Sequence, residues 1–169
     1  MASMCDSMPQ TADNVAAHYQ IARADQDAFA WRSQQRWSAA RRAGRFDAEI
    51  TPVPIAGKKG AVTDFTQDEH PRPDTTLEQL AALKGINGPA LSVTAGNASG
   101  VNDGACALLL ASERAAAQHG LTPRARVLGM ASAGVEPRMM GIGPVPAVQK
   151  LLARLRLTLK DFAVIEINE

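Results

Sequence analysis

The sequence predicts an α/β fold, and two observations carry that prediction. From Leu91 onward the apolar runs alternate as strand, helix, strand, helix, strand. A glycine-rich turn, GNASGVNDG, joins the first of those strands to the first helix. Composition agrees: 169 residues, 46% hydrophobic and 21% charged, match one soluble globular domain or two half-cores. Aromatic residues make up only 4%, so apolar area per residue is small for a chain that must offset its own ordering entropy. A robust, self-sufficient minidomain is therefore not expected.

Thr11 or Asp13 is positioned to cap a short amphipathic helix reaching Gln20, with Val15, Ala16 and Tyr19 on one stripe. From Ala24 to Arg42 neither Gly nor Pro occurs, and Ala28, Trp31 and Ala39 recur at helical spacing until Gly44 supplies a stop. EITPVPI (49–55) reads as an edge strand, because proline cannot donate to a ladder. The polar stretch from Gly57 to Thr75 reads as one long loop. Thr75 and Glu78 have capping-box spacing and open a short helix that Gly85 ends. LSVTA (91–95) is a short β-rich run, and ACALLLASERAAAQHG has a helix pattern whose Leu108, Leu109, Ala111, Ala115 and Ala116 form a buried face. RVLGMASAGV (126–135) is strand-like, EPRMMGIGPVP a loop, AVQKLLARLRL a helix with Leu151, Leu152 and Leu155 inward, and DFAVIEIN a terminal strand.

Charge and cysteine usage narrow the function. Eighteen basic residues against seventeen acidic ones exclude a protein that binds nucleic acid or anionic membrane mainly by its overall field. Any anionic ligand must be held by local groups. Arg32, Arg36, Arg41, Arg42, Arg45, Lys58 and Lys59 read as a solvated face. Cys5 and Cys106 form neither a C-x-x-C pair nor a disulfide framework, and a reducing compartment, the cytoplasm, fits. The first residues lack a basic and apolar leader pattern, and no window reaches the length of a membrane span.

Gly96, Gly100 and Gly104 are spaced four apart, which is neither a dinucleotide fingerprint nor a phosphate-binding P-loop. That spacing serves close helix packing or backbone approach to a ligand equally well. His18, His70 and His119 are scattered without metal-ligand spacing and read as surface or capping residues; no metal site is expected. Cys106, inside an apolar run, reads as an inert buried thiol. Met139 and Met140 either fill irregular packing or line an apolar channel. Asn168 and Glu169 follow a terminal strand, where a frayed end is the plain reading and a functional position the sharper one.

Six collinear segments then resemble the thiolase family of acyl-CoA acetyltransferases, most closely its 3-oxoadipyl-CoA branch. They are SMPQTADNVA (7–16), RADQDAFAWRSQQR (23–36), DEHPRPDTTLEQL (68–80), VTAGNASGVNDGACALLLAS (93–112), RARVLGMASAGVEPRMMGIGPVPAV (124–148) and VIEINE (164–169). The resemblance implies a partial version of the family's layered α/β/α/β/α fold. Residues 1–92 would be its loop-domain region, 93–120 the last strand and helix of its N-terminal half, and 121–169 the start of its C-terminal half.

The chemistry implied is two-step acyl transfer between acyl-CoA and CoA. A cysteine thiolate takes the acyl group, and oxyanion holes stabilise the developing charge. The family's acyl-accepting cysteine would precede Met1, and its base histidine and second cysteine would follow Glu169, so neither Cys5 nor Cys106 matches a catalytic residue. The 169-residue chain is thus expected to be inactive by itself. Asn168 matches the asparagine that holds an oxyanion-hole water. Ser99 and Ala95 match pantetheine-contacting positions, Arg72 an arginine near the nucleotide end of CoA, and Met8 a methionine bordering the acyl tunnel. Ser7 replaces a histidine found in some members, and Trp31 and Trp37 stand where smaller side chains are usual. CoA is implied as substrate, with no prosthetic group. The full-length family is implied to assemble as homodimers or homotetramers.

Overall fold

The computed structural model describes residues 6–168. It divides into two compact units, one of Ala12–Gly100 and one combining the residues up to Thr11 with those from Val101 onward. Helix α1 runs Met8–His18 and is shared between them in sequence. Its start differs from expectation: neither Thr11 nor Asp13 caps it. The backbone amide of Ser7 instead donates to Gln10 Oε1 at 2.7 Å, and Thr11 N closes the first turn on Ser7 O at 2.9 Å. That leaves Asp13 available for tertiary contacts.

Helix α2, Arg23–Arg42, matches the gap-free run closely. Asp25 in its first turn and Arg41 and Arg42 in its last complement the helix dipole. Gly44 takes φ +68°, a conformation most side chains avoid, and reverses the chain. The reversal stacks Phe46 on Trp37 with ring centroids 6.3 Å apart, and Arg41 pairs with Asp47 at 2.8 Å. The stretch from 57 to 75, expected to be one loop, instead completes a hairpin: β1 (Val53–Ala56) pairs antiparallel with β2 (Val62–Phe65). Lys59 at φ 59° and Gly60 at φ 78° make the turn possible. In the register Pro54 faces Asp64, while Gly57 N bonds Ala61 O at 2.7 Å. Hydrogen-bonded pairs alternate along such a ladder, so Pro54 occupies a non-bonded site with its nitrogen pointing outward. The signal for β2 is weak, since Val62 and Phe65 are separated by Thr63 and Asp64 and both faces stay exposed.

Helix α3, Leu77–Ala81, is capped one residue later than the spacing suggests: Thr76 and Gln79 form the box, with Gln79 N on Thr76 Oγ1 at 3.2 Å and Thr76 N on Gln79 Oε1 at 2.9 Å. The expected strand at 91–95 has no ladder partner among the described residues, although Val93 and Thr94 are buried within the unit. Gly85 permits the chain to turn tightly there, because any side chain would collide with the carbonyls of Gly88 and Leu91.

In the other unit the long helix expected from 105 is reduced to α4, Glu113–Gln118, opened by Ser112, whose hydroxyl accepts from Ala115 N at 3.2 Å. Leu108 and Leu109 are exposed, not buried, and so is Cys106, which overturns the buried-thiol expectation. A helix of apolar side chains gains little without a surface to cover, and the capped polar turn is what persists. Residues 126–135 and 162–168 likewise form no ladder, since a strand requires a partner and none is supplied among the described residues. Residues 137–142, expected as loop, form a 3₁₀ turn that half-buries Met139. Helix α5 begins at Pro144, three residues before the expected Ala147, because proline suits a first helical position. It ends at Leu155 with Arg156 left-handed. Its Leu151 and Leu155 pack toward Gly129, and Lys150 and Arg154 donate to the carbonyls of Ser132 and Met130 at 3.3 and 3.1 Å. Among the described residues no helix is long and apolar enough to cross a membrane, and no group of three or more metal-ligating side chains forms.

Candidate functional site

The unit of residues 12–100 contains a cleft of about 270 Å³. One side comes from α2 and the polar segment after β2, through Gln34, His70, Arg72 and Thr75. The other comes from α3 and the glycine-rich turn, through Leu80, Leu83, Ala95, Gly96 and Ala98.

Each wall is fixed locally. The segment with Arg72 lies on α2 because its backbone amide donates to Gln34 Oε1 at 2.8 Å, and Gln35 Nε2 reaches Pro73 O at 3.4 Å. No acidic side chain lines the cleft, and Arg72 enters no ion pair among the described residues. Arg72 thus borders a cleft whose lining residues include no acidic partner for its permanently charged, forked guanidinium. Opposite, the turn is folded on itself by Asn97, which accepts from Thr94 N at 2.8 Å and donates to Ser92 O at 3.0 Å. Gly96 lies so close to α3 that a Cβ there would be 2.5 Å from Leu80 Cδ2 and 2.6 Å from Leu83 Cδ1. The two readings of the glycine spacing thus meet at this residue, which packs against α3 and borders the cleft.

Beneath the turn, Asp13 is 7% exposed and accepts four hydrogen bonds: Asn87 Nδ2 at 2.7 Å, Ser92 N and Val93 N at 3.0 Å, and Ser92 Oγ at 3.2 Å. Burial by itself would raise its pKa, but the donors from Asn87, Val93 and Ser92 together outweigh that and hold it below the ordinary carboxylate value. Asp27, 4% exposed, pairs with Arg23 Nε and accepts from Asn97 Nδ2.

Of the residues singled out from the sequence, Arg72 and Ala95 line the same cleft. Ser99 is exposed, one position beyond Ala98 on the turn, and is not among the lining residues. Met8, at the start of α1, and Asn168 are both exposed and belong to the other unit. Cys5 and Glu169 lie outside the described residues. His119 caps the C-terminus of α4, as expected of a capping residue, whereas His70 borders the cleft. Gln34, Asp13, Asp27 and Asn97 were not legible as site residues. Their role depends on partners 38 to 80 positions away, and only Arg23 and Asp27, at i and i+4, leave a local signature.

The model of the thiolase N-terminal domain matches residues 2–114, and that of the thiolase C-terminal domain matches residues 121–169. The chain belongs to the thiolase family. It is 70% identical to the β-ketoadipyl-CoA thiolase of Pseudomonas aeruginosa over 164 residues, which is 97% of this chain and 41% of that relative. The 3-oxoadipyl-CoA/3-oxo-5,6-dehydrosuberyl-CoA thiolase of Escherichia coli is 58% identical with the same coverage. Among solved structures, the acetyl-CoA acetyltransferase of Bacillus anthracis superposes with a TM-score of 0.89 at 44% identity, over 99% of this chain and 42% of that one. The human mitochondrial 3-ketoacyl-CoA thiolase in complex with CoA gives 0.84 at 48% identity, over 96% and 40%. The chain thus spans about two fifths of the length of the thiolases it matches, and its fold is a partial thiolase α/β fold.

Proposed function

We propose that this chain is the coenzyme-holding part of a thiolase that cleaves a 3-oxoacyl-CoA, such as 3-oxoadipyl-CoA, with free CoA. The observation that carries the reading is the cleft in which Arg72 faces the turn bearing Ala95 and Gly96. A guanidinium supplies phosphate or adenine contact, and exposed backbone on a small-residue turn suits an amide-bearing arm. Ser99 extends that contact by one hydroxyl, and Met8 borders the acyl tunnel. On the same reading residues 1–92 are the loop-domain region, 93–120 close the N-terminal half, and 121–169 open the C-terminal half. CoA acts as substrate and no prosthetic group takes part. A cytoplasmic location and assembly as a dimer or dimer of dimers go with this reading.

In the reaction, a cysteine thiolate adds to the 3-keto carbonyl, the C2–C3 bond breaks, and the departing enolate is protonated to acetyl-CoA. The thiolate of CoA then attacks the acyl-enzyme and releases the cysteine thiolate. Asn168 orients a water that donates to the developing oxyanion. Cys106 is exposed on a segment without regular structure, and no role in acyl transfer is assigned to it. The 169-residue chain by itself is therefore expected to be catalytically silent, and thiolysis of 3-oxoadipyl-CoA by the purified chain would refute this.

A second reading, a CoA-binding module without catalysis, draws on the fact that every lining residue of the cleft lies within Ala12–Gly100. Calorimetric titration with CoA addresses both readings. Micromolar binding lost in Arg72→Ala or Ser99→Ala supports a coenzyme site, and silence in the titration rejects it.

A further inference from the structure

The two parts of the cleft wall opposite Arg72, helix α3 and the turn of residues 94–98, belong to separate segments. Both are tied to one carboxylate. Asp27 Oδ1 accepts from Asn97 Nδ2 at 2.9 Å, and Asn97 is the side chain that closes the turn whose Ala95, Gly96 and Ala98 line the cleft. Asp27 Oδ2 accepts from Arg23 Nε at 2.8 Å, and the same guanidinium donates through Nη2 to the carbonyls of Leu80 at 2.7 Å and Leu83 at 3.0 Å. Leu80 and Leu83 also line the cleft. Asp27 itself does not.

A carboxylate 4% exposed is costly unless it is well bonded, and these bonds compensate it. Filling space alone would be served by an apolar residue. A carboxylate with one oxygen on each linkage instead fixes the distance between the turn and α3. We propose that Asp27 is a positioning residue that sets the spacing of these two wall segments and thereby the affinity of the cleft for a CoA-type ligand.

The inference rests on the coenzyme reading, and the test separates the two. CoA is titrated into the chain carrying Asp27→Ala, Asp27→Asn or Asp27→Glu, with folding checked by circular dichroism. Amide exchange is followed at Ala98, which donates to Thr94 O at 3.0 Å, and at Leu83, which donates to Leu80 O at 3.1 Å. Asp27→Ala is expected to weaken CoA binding about tenfold, ~1.4 kcal/mol, while remaining folded, and to speed exchange at both amides. Asp27→Glu is expected to recover most of the affinity. Asp27→Asn, keeping an acceptor for Asn97 but losing the charge that holds Arg23, is expected to speed exchange at Leu83 more than at Ala98. Unchanged affinity in a folded Asp27→Ala chain, or faster exchange at only one of the two amides, overturns the proposal. If Asp27→Ala does not fold, Asn97→Ala replaces it: folded with about tenfold weaker binding supports the proposal, and wild-type affinity or a second loss of folding overturns it. If the wild-type chain binds no CoA, the coenzyme reading falls, and the exchange pattern alone decides whether Asp27 couples the two segments.

Discussion

At the scale of single residues, three positions carry separable consequences. Arg72 is exposed and enters no ion pair among the described residues, so Arg72→Ala should leave the unfolding midpoint nearly unchanged while CoA affinity drops about tenfold or more, as expected for losing a hydrogen bond to a charged group. Titration and melting on the same sample check both halves. Gly96→Val should act first on stability. Its Cβ would overlap Leu80 and Leu83, and overpacking of that kind costs about 1–3 kcal/mol in urea denaturation. Asp13 contributes through protonation. Its folded pKa lies below the unfolded value of about 3.9, so its stabilisation is complete above that pH and is lost as pH falls through the folded value. The urea midpoint should therefore decline on acidification below about pH 4, and Asp13→Asn should flatten that part of the curve while lowering the plateau at neutral pH.

At the scale of elements, the helices were legible because their signals are local. The gap-free run from Ala24 to Arg42 gave α2 almost residue for residue, and the leucines at 151, 152 and 155 gave α5. Caps were legible only approximately: α1 starts with the Ser7 amide held by Gln10 in place of a Thr11 or Asp13 cap, and Thr76 takes the role expected of its neighbour Thr75. Strands fared worst. LSVTA, RVLGMASAGV and DFAVIEIN carry β-rich sequence, yet a strand exists only with a partner; of the expected strands only EITPVPI (49–55) pairs, its Val53–Ala56 forming β1 against Val62–Phe65, a segment read as loop, with Ala56 and Val62 meeting across a five-residue turn. The cap of α3 gives the element-scale prediction. Thr76→Ala should cost about 1 kcal/mol in chemical denaturation, with Thr75→Ala nearly neutral.

At the scale of the whole molecule, the motifs carried both the family resemblance and the partial character, whereas length alone suits one complete domain; the 41% coverage of the relatives agrees with the motifs. The cleft was half legible: Arg72 and Ala95 through their motifs, but not Gln34 or His70, which join it by folding. The unit containing residues from 101 onward exposes Leu108, Leu109, Leu110, Val127, Leu128, Val164 and Ile167 by 64% or more. Apolar surface on that scale is unusual for a free monomer. The 169-residue chain alone should thus enhance the fluorescence of a hydrophobic dye and self-associate at micromolar concentration, and a monodisperse, dye-silent monomer would contradict this.

The hairpin, in the unit of Ala12–Gly100, offers two unequal edges to a further strand. Pro54 directs its nitrogen away from β2, so the outer edge of β1 lacks one of the amide donors an incoming strand would require. The outer edge of β2, with Thr63 on the bonded side of the pair and Asp64 turned outward, has no such block. Of the two edges, β2 therefore keeps the fuller set of amide donors for an incoming strand and β1 the poorer one.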